Sequence, residues 1–184
     1  MTLFEYLSVA ISIVLALSAA QILTNFREVL EPPRRSWVHT IWVVHLLLMH
    51  VFVWWSMWAF RDVHWNLATF AVVLLPPGIL FVCSSALVPS YSPTVSSWEE
   101  HFFKVRRWFF ALRILFLLTA GFRSWLLLDK PALESPTAVS VPMLLLFVSG
   151  FIIPDRRFQA GLAVVVLALL MLGVSYLRLE AGAR

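Results

Sequence analysis

Charged side chains are scarce in this sequence. Asp, Glu, Lys and Arg make up 13% of its 184 residues, whereas 61% of the residues are hydrophobic. A soluble domain has about a quarter charged residues and about half apolar ones. The composition therefore excludes an ordinary soluble globule, and no stretch between the long apolar runs is large enough to fold as a separate soluble domain.

Cysteine and catalytic motifs are scarce as well. The single cysteine, Cys83, excludes an intrachain disulfide and a cysteine-based metal cluster. The sequence has no HExxH, GxSxG, P-loop, Gly-rich nucleotide or TVGYG motif. No lysine lies near the centre of an apolar run, where a retinal Schiff base would need one. We therefore predict no catalytic residue and no metal site, and an enzymatic role has no support.

The apolar residues instead form six long runs. A helix needs about 20 apolar residues to cross the hydrocarbon core of a bilayer. The fourth helix is expected to start at Trp98, because Ser97 and Glu100 form a capping-box pattern. The runs predict an all-α bundle of six transmembrane helices in a single domain, at about 3–23, 37–60, 66–88, 98–128, 138–153 and 158–177.

The basic residues between these runs predict the orientation. Loops one, three and five carry eight counted Lys and Arg residues, and the opposite side carries five. Because basic loops are retained in the cytoplasm, loops one, three and five are predicted to be cytoplasmic and both termini outside. The first run carries Glu5 and lacks a basic n-region, so it is expected to remain as a helix rather than be cleaved as a signal peptide. The pI of about 9.8 then reflects contact with anionic membrane lipid, not nucleic acid.

A double proline interrupts the third apolar run. Pro76 and Pro77 lack the backbone N–H that the carbonyls of Val72 and Val73 would bind in a regular helix. In hydrocarbon these carbonyls must find other partners. One interpretation is a broken helix that presents carbonyls to an ion, water or ligand. The alternative, which we favour for the prolines alone, is a packing kink.

Three histidines lie in the second run, and two of them are close to the predicted bilayer centre. At 100° per residue His39 and His50 share a face, and His45 points the opposite way. Imidazole titrates near neutral pH, so His45 and His50 are candidates for a proton relay. Haem ligation would need a second protomer or an interfacial histidine, His64 or His101. Neutral histidines hydrogen-bonded between helices are the simpler alternative.

Arginine lies within the fourth predicted helix at Arg113, which needs a partner at that depth. Asn25 and Glu28, at the inner end of the first helix, are the predicted partners in a structural ion pair. At the outer end, Glu5 and Arg123 form a second predicted pair. The first helix also carries small polar residues on two faces, Ser12 on one and Ser18 with Gln21 on the other, which either pack against helices or line a pore.

The stretches FEYLSVAISIVLALSAAQIL, WVHTIWVVHLLL, FVWWSMWAFRDV and HFFKVRRWFF resemble an uncharacterised family of small six-helix bacterial inner-membrane proteins. The resemblance spans most of the chain. It implies the architecture and a bacterial inner membrane, and it implies no activity and no functional residues.

Three polar features at similar depth lead to a functional prediction. With the third helix broken at Pro76 and Pro77, His45, His50 and the carbonyls of Val72 and Val73 are expected to form the midplane constriction of an oligomeric channel or transporter for a small ion or solute. Membrane lipids and further copies of the chain are the expected partners, and no cofactor is expected. Two alternatives remain open: an accessory subunit that binds a partner membrane protein or lipid, and a haem- or quinone-binding redox protein.

Overall fold

All regular structure is helical in the part of the chain that the computed structural model describes. That part comprises residues 2–90, 95–128 and 140–181, without the side chains of residues 140 and 174–181. A 3-10 segment, Met57–Phe60, continues the second helix. The helices are α1 (Leu3–Leu30), α2 (Trp37–Ser56), α3 (Leu67–Leu87), α4 (Trp98–Leu128), α5 (Ser140–Ile152) and α6 (Arg156–Ala181).

Polar caps define where the first four helices begin. The side chains of Thr2, Ser36 and Asn66 each accept a hydrogen bond from a backbone N–H in the first turn of α1, α2 and α3. Ser97 accepts the N–H of Glu100 at 3.4 Å at the start of α4. These contacts satisfy backbone donors that have no partner within the helix. They confirm the predicted start of the fourth helix.

Five of the helices are long and apolar enough to span a membrane: α1, α2 with its 3-10 extension, α3, α4 and α6. They indicate an integral membrane protein. The described part of α5 has 13 residues, which at 1.5 Å per residue is about 20 Å, shorter than the roughly 30 Å of a hydrocarbon core. The prediction of six full-length spans is therefore not confirmed, and residues 138 and 139 of the predicted fifth helix lie outside the described residues.

The third helix runs without interruption from Leu67 to Leu87 through both prolines. Pro76 and Pro77 are buried against neighbouring helices, and the helical turns on either side keep their own hydrogen bonds. The predicted break at this site is therefore not confirmed. Tertiary packing holds the helix together across the two missing N–H groups.

The first helix continues beyond its predicted end at Leu23 to Leu30. The added turns contain the buried Val29 and the partly buried Phe26, which anchor them to the core. The helix ends just before Glu31, the residue that precedes Pro32, where proline disfavours the α conformation. Residues 24–30, which the sequence placed in the first loop, are thus part of α1.

The bundle is built around α3 and α4, which pack against each other, with α1 against α3 and α5 against α4. Helix α6 packs mainly against α2. At the centre, the Trp42 ring meets Phe109 and Phe110 edge to face, at centroid distances of 5.2 and 5.3 Å.

Candidate functional site

A chain of polar side chains connects three helices in the interior. Nε2 of His50 on α2 lies 2.6 Å from Oγ of Ser18 on α1. Ser18 Oγ lies 3.1 Å from Oγ of Ser84 on α3. The chain ends at two backbone carbonyls, because His50 Nδ1 is 2.7 Å from the Leu46 oxygen and Ser84 Oγ is 2.9 Å from the Leu80 oxygen. All three side chains are buried, and we call them the hydroxyl–imidazole chain.

The hydrogen count gives this chain two alternative states. The carbonyl of Leu46 can only accept, so His50 Nδ1 carries a hydrogen. With a neutral imidazole, Nε2 accepts from Ser18, and Ser18 accepts from Ser84. With a proton on Nε2, the two bonds between side chains reverse: His50 donates to Ser18 and Ser18 donates to Ser84. The Ser84 hydrogen then turns to the carbonyl of Leu80, a bond that is not formed in the neutral state. The same heavy-atom positions therefore serve both protonation states.

Further polar contacts extend along the same α1–α3 interface. Ser85 Oγ donates to Gln21 Oε1 at 3.1 Å, and Gln21 Nε2 donates to the carbonyl of Val88 at 3.0 Å. The predicted polar face of Ser18 and Gln21 thus packs against α3. Sequence reasoning missed Ser84 and Ser85, although two adjacent small hydroxyls near the end of an apolar run are a signal for a helix–helix contact.

Arg113 lies elsewhere, between the second and fifth helices. It is 1% exposed, and its guanidinium lies 5.2 Å from the ring centre of Phe116 and 4.9 Å from that of Phe147. Its Nε and Nη1 atoms have no hydrogen-bond partner. The position is close enough for electrostatic interaction with His45, His50 and Cys83.

The predicted pairing of Arg113 with Asn25 and Glu28 is therefore wrong. The Glu28 carbonyl accepts from Nε1 of Trp98 at 2.9 Å, so the end of α1 lies beside the start of α4. Arg113 is about four turns further along α4, about 22 Å away. Asn25 instead donates through Nδ2 to the carbonyl of Gln21 at 2.8 Å.

Two more buried polar side chains without partners accompany Arg113. His45 is fully buried, and neither of its ring nitrogens has a hydrogen-bond partner. Trp42 is also fully buried, its Nε1 has no partner, and its ring lies 5.6 Å from that of His45. Both Trp42 and Arg113 lie against Phe147. We call Trp42, His45 and Arg113 the arginine pocket.

His39 belongs to neither group, because it caps a helix. Its Nε2 lies 3.0 Å from the carbonyl of Leu87, and Nε2 of His101 lies 3.2 Å from that of Ala86. Trp98 stacks on His39 at 4.7 Å. These contacts satisfy the last carbonyls of α3, which have no partner within the helix. A haem iron could bind Nε2 of His39 only by displacing the Leu87 carbonyl, whereas Nδ1 has no hydrogen-bond partner.

The end of α5 is capped in the same way from α4 and α6. Nη1 of Arg106 donates to the carbonyls of Gly150, Phe151 (2.9 Å) and Ile153 (3.3 Å). Gln159 Nε2 donates to the carbonyls of Gly150 and Ile153 at 3.0 and 2.6 Å. A positive charge at a helix C-terminus also complements the helix dipole.

The predicted outer pair is also not formed as expected. Glu5 takes part in the N-terminal capping box of α1, where its Oε2 accepts the N–H of Thr2 at 2.8 Å. The guanidinium of Arg123 instead lies 4.4 Å from the ring centre of Phe60, and Nη1 is 3.9 Å from Sδ of Met57. Arg123 is thus placed against the 3-10 segment.

The predicted midplane residues do not gather around one cavity. Val73, Pro76 and Pro77 are buried in helix contacts, Val72 is half-buried, and Ser12 Oγ accepts from Trp54 Nε1 at 3.3 Å. A hollow of about 560 Å³ lies beside the start of α3, and a smaller one of about 220 Å³ lies beside Glu28. Neither hollow is lined by any of these residues. Within the described ranges, no three His, Cys, Asp and Glu side chains are grouped as a metal site.

The comparisons with known proteins add no relative. No family model, no curated protein and no solved structure matches the chain. The fold and the two buried polar groups are therefore the basis for a functional assignment: a helical membrane protein whose interior holds one complete and one incomplete hydrogen-bonded group.

Proposed function

We propose that this protein transports a small ion across a bacterial inner membrane as a homo-oligomer, and that the ion is a proton. Loops one, three and five would face the cytoplasm. The hydroxyl–imidazole chain is the transfer element, with His50 as the group that binds and releases the proton. One observation carries the proposal: the His50–Ser18 and Ser18–Ser84 contacts can form in both protonation states of His50, with the directions of these two bonds reversed.

Reversal of the hydrogen bonds is the step that moves charge. A hydronium ion that reaches Ser18 gives a proton to its Oγ while the Ser18 hydrogen passes to Nε2 of His50, so that Ser18 then donates to Ser84. The reverse transfer returns the proton to water and restores the first direction. Imidazole suits this role because it exchanges protons near neutral pH. The ring also stays in place during the exchange, since Nδ1 remains bound to the Leu46 carbonyl in both states.

Polar groups on α1 offer a route to and from the chain. Ser12 lies less than two turns before Ser18 and contacts Trp54, while Gln21 lies one turn after Ser18 and contacts Ser85. At 1.5 Å per residue these steps are about 9 Å and 4.5 Å along the helix. Water molecules would bridge them during transport.

The test is proton flux into liposomes that contain the purified protein and a trapped pH-sensitive dye, driven by a potassium gradient with valinomycin. We expect Ser84→Ala to lower the flux at least about tenfold, because it breaks the chain. Ser149→Ala is the matched control: it removes a hydroxyl that donates to the Leu146 carbonyl of its own helix and contacts neither His50 nor Gln21, and it should stay within about twofold of wild type. Equal fluxes in the two variants, or no flux above empty liposomes, would contradict the proposal.

The accessory-subunit alternative is favoured by one surface. Trp54, Trp55 and Trp58, near the end of α2, are 56%, 66% and 65% exposed. Tryptophan is enriched at membrane interfaces and at protein contacts. A stoichiometric partner that copurifies and is lost on changing Trp55 to Leu would support this alternative.

A further inference from the structure

We propose that the arginine pocket binds a small inorganic anion, with chloride as the physiological candidate. This site shares no side chain with the hydroxyl–imidazole chain, although Arg113 is close enough to interact electrostatically with His50, and the inference does not rest on proton transport. Trp42, His45 and Arg113 together contain five of the ten buried side-chain atoms that lack a hydrogen-bond partner in the described structure. Trp42 and His45 lie side by side on α2, and Trp42 and Arg113 of α4 both lie against the ring of Phe147 in α5.

The charge balance of the pocket calls for a negative ligand. Arginine remains protonated in proteins, and a guanidinium buried in a membrane protein pairs with an anion, a carbonyl or an aqueous cavity. Arg113 is 1% exposed, lies over two aromatic rings and forms no ion pair with a carboxylate in the described residues. The aromatic faces stabilise the charge, but they leave the in-plane hydrogens of Nε and Nη1 unbound.

The hydrogen-bond inventory separates an anion from water. Trp42 Nε1, Arg113 Nε and Arg113 Nη1 can only donate, and a neutral His45 adds one donor and one acceptor. A bound water molecule needs acceptors for its own two hydrogens, and this pocket offers one. A halide accepts from several donors and donates nothing. The excess of donors therefore favours the anion on both charge and hydrogen-bond grounds.

The burial of the pocket sets the size of the ligand. Each of its three side chains is at most 1% exposed, with Trp42 and His45 fully buried. A single-atom ion is the smallest anion that could enter a site so closely packed, and a large organic anion such as gluconate is excluded. A comparison of chloride with gluconate, at constant ionic strength, therefore tests whether the site accepts only a small anion.

The test measures binding of radiolabelled chloride by equilibrium dialysis of the full chain in lipid nanodiscs. We expect one chloride per protomer in the wild type and none in Arg113→Gln. Trp42→Phe keeps an aromatic ring and removes one donor, so it should weaken binding about tenfold. Arg123→Gln is the matched control, because Arg123 is another buried arginine of α4 over an aromatic ring, and it should bind one chloride.

A second readout covers variants that fold poorly. Replacing gluconate by chloride should raise the thermal unfolding midpoint of the wild type and of Arg123→Gln, because a ligand that binds only the native state stabilises it. The shift should be absent in Arg113→Gln and reduced in Trp42→Phe. Chloride retention no greater than that of empty nanodiscs, or equal loss in the Arg113 and Arg123 variants, would overturn the proposal.

Discussion

The hydroxyl–imidazole chain and the arginine pocket are both buried and polar, and both contain a histidine of α2. In the first, each ring nitrogen of His50 and each hydroxyl has a partner at 2.6–3.1 Å. In the second, five atoms have none. Burying an unpartnered polar group costs free energy, whereas a satisfied network can stabilise a fold. Burial alone therefore does not identify a functional site, whereas the balance of hydrogen-bond donors and acceptors does.

The largest difference in the free energy of unfolding is expected between variants of Arg106 and Arg113, two arginines of α4 that lie about two turns apart. Arg106→Leu removes a charged donor from the carbonyls at the end of α5 and should lower the free energy of unfolding by about 3 kcal/mol. Arg113→Leu breaks no hydrogen bond at Nε or Nη1 and should be neutral or stabilising in gluconate. In chloride, the wild type should regain the advantage over Arg113→Leu. The free energies of unfolding of both variants can be measured in mixed micelles titrated with sodium dodecyl sulfate. Equal losses of stability in gluconate would contradict the predicted difference between the two arginines.

A smaller effect of the same kind is expected at the two histidines. His50→Leu leaves Ser18 without its imidazole partner and should cost about 1 kcal/mol, near the value of a hydrogen bond between membrane helices. His45→Leu removes a ring whose nitrogens have no partners, so in gluconate it should leave stability unchanged or higher. The same titration measures the pair. A His45 variant that is less stable than the His50 variant would show that the partner count does not govern stability here.

The smallest effect is expected outside the membrane, where water satisfies polar groups. A hydrogen bond from Arg34, together with its charge, lowers the pKa of the Glu31 carboxyl below its ordinary value of 4.5. A lowered folded-state pKa stabilises the fold above that ordinary value, and the gain is lost as pH falls through the lowered one. Glu31→Gln should therefore unfold slightly more easily at pH 7, with a difference that disappears in acid. Thermal unfolding followed by circular dichroism from neutral to acidic pH checks the sign.

The contrast also explains how far the sequence could predict the molecule. Long apolar runs and the cap at Ser97 predicted the helical class and the bounds of α4, because both depend on local chemistry. Periodicity correctly separated His45 from His39 and His50, since it depends only on rotation about α2. It could not predict that Ser84 meets Ser18, because the neighbours of a helix depend on how the whole bundle packs.

Two errors have the same origin. Pro76 and Pro77 were expected to break α3, but packing on both sides maintains the helix. Arg113 was paired with Glu28 by assumed depth, but α1 extends to Leu30 and places Glu28 beside Trp98 instead. Local rules identified the residues that need partners, and only the tertiary arrangement determined which partners they find.

The caps at the ends of α1 and α3 also have a consequence for biosynthesis. Trp98 binds the last turn of α1, and His101 binds the last carbonyls of α3, yet both leave the ribosome after these helices. A nascent chain that ends before residue 98 carries three inserted helices, and two of them lack contacts that α4 provides. Insertion of α4 is therefore the step that completes the contacts of α1 and α3, and chaperones and proteases should act on the nascent chain mainly before this step.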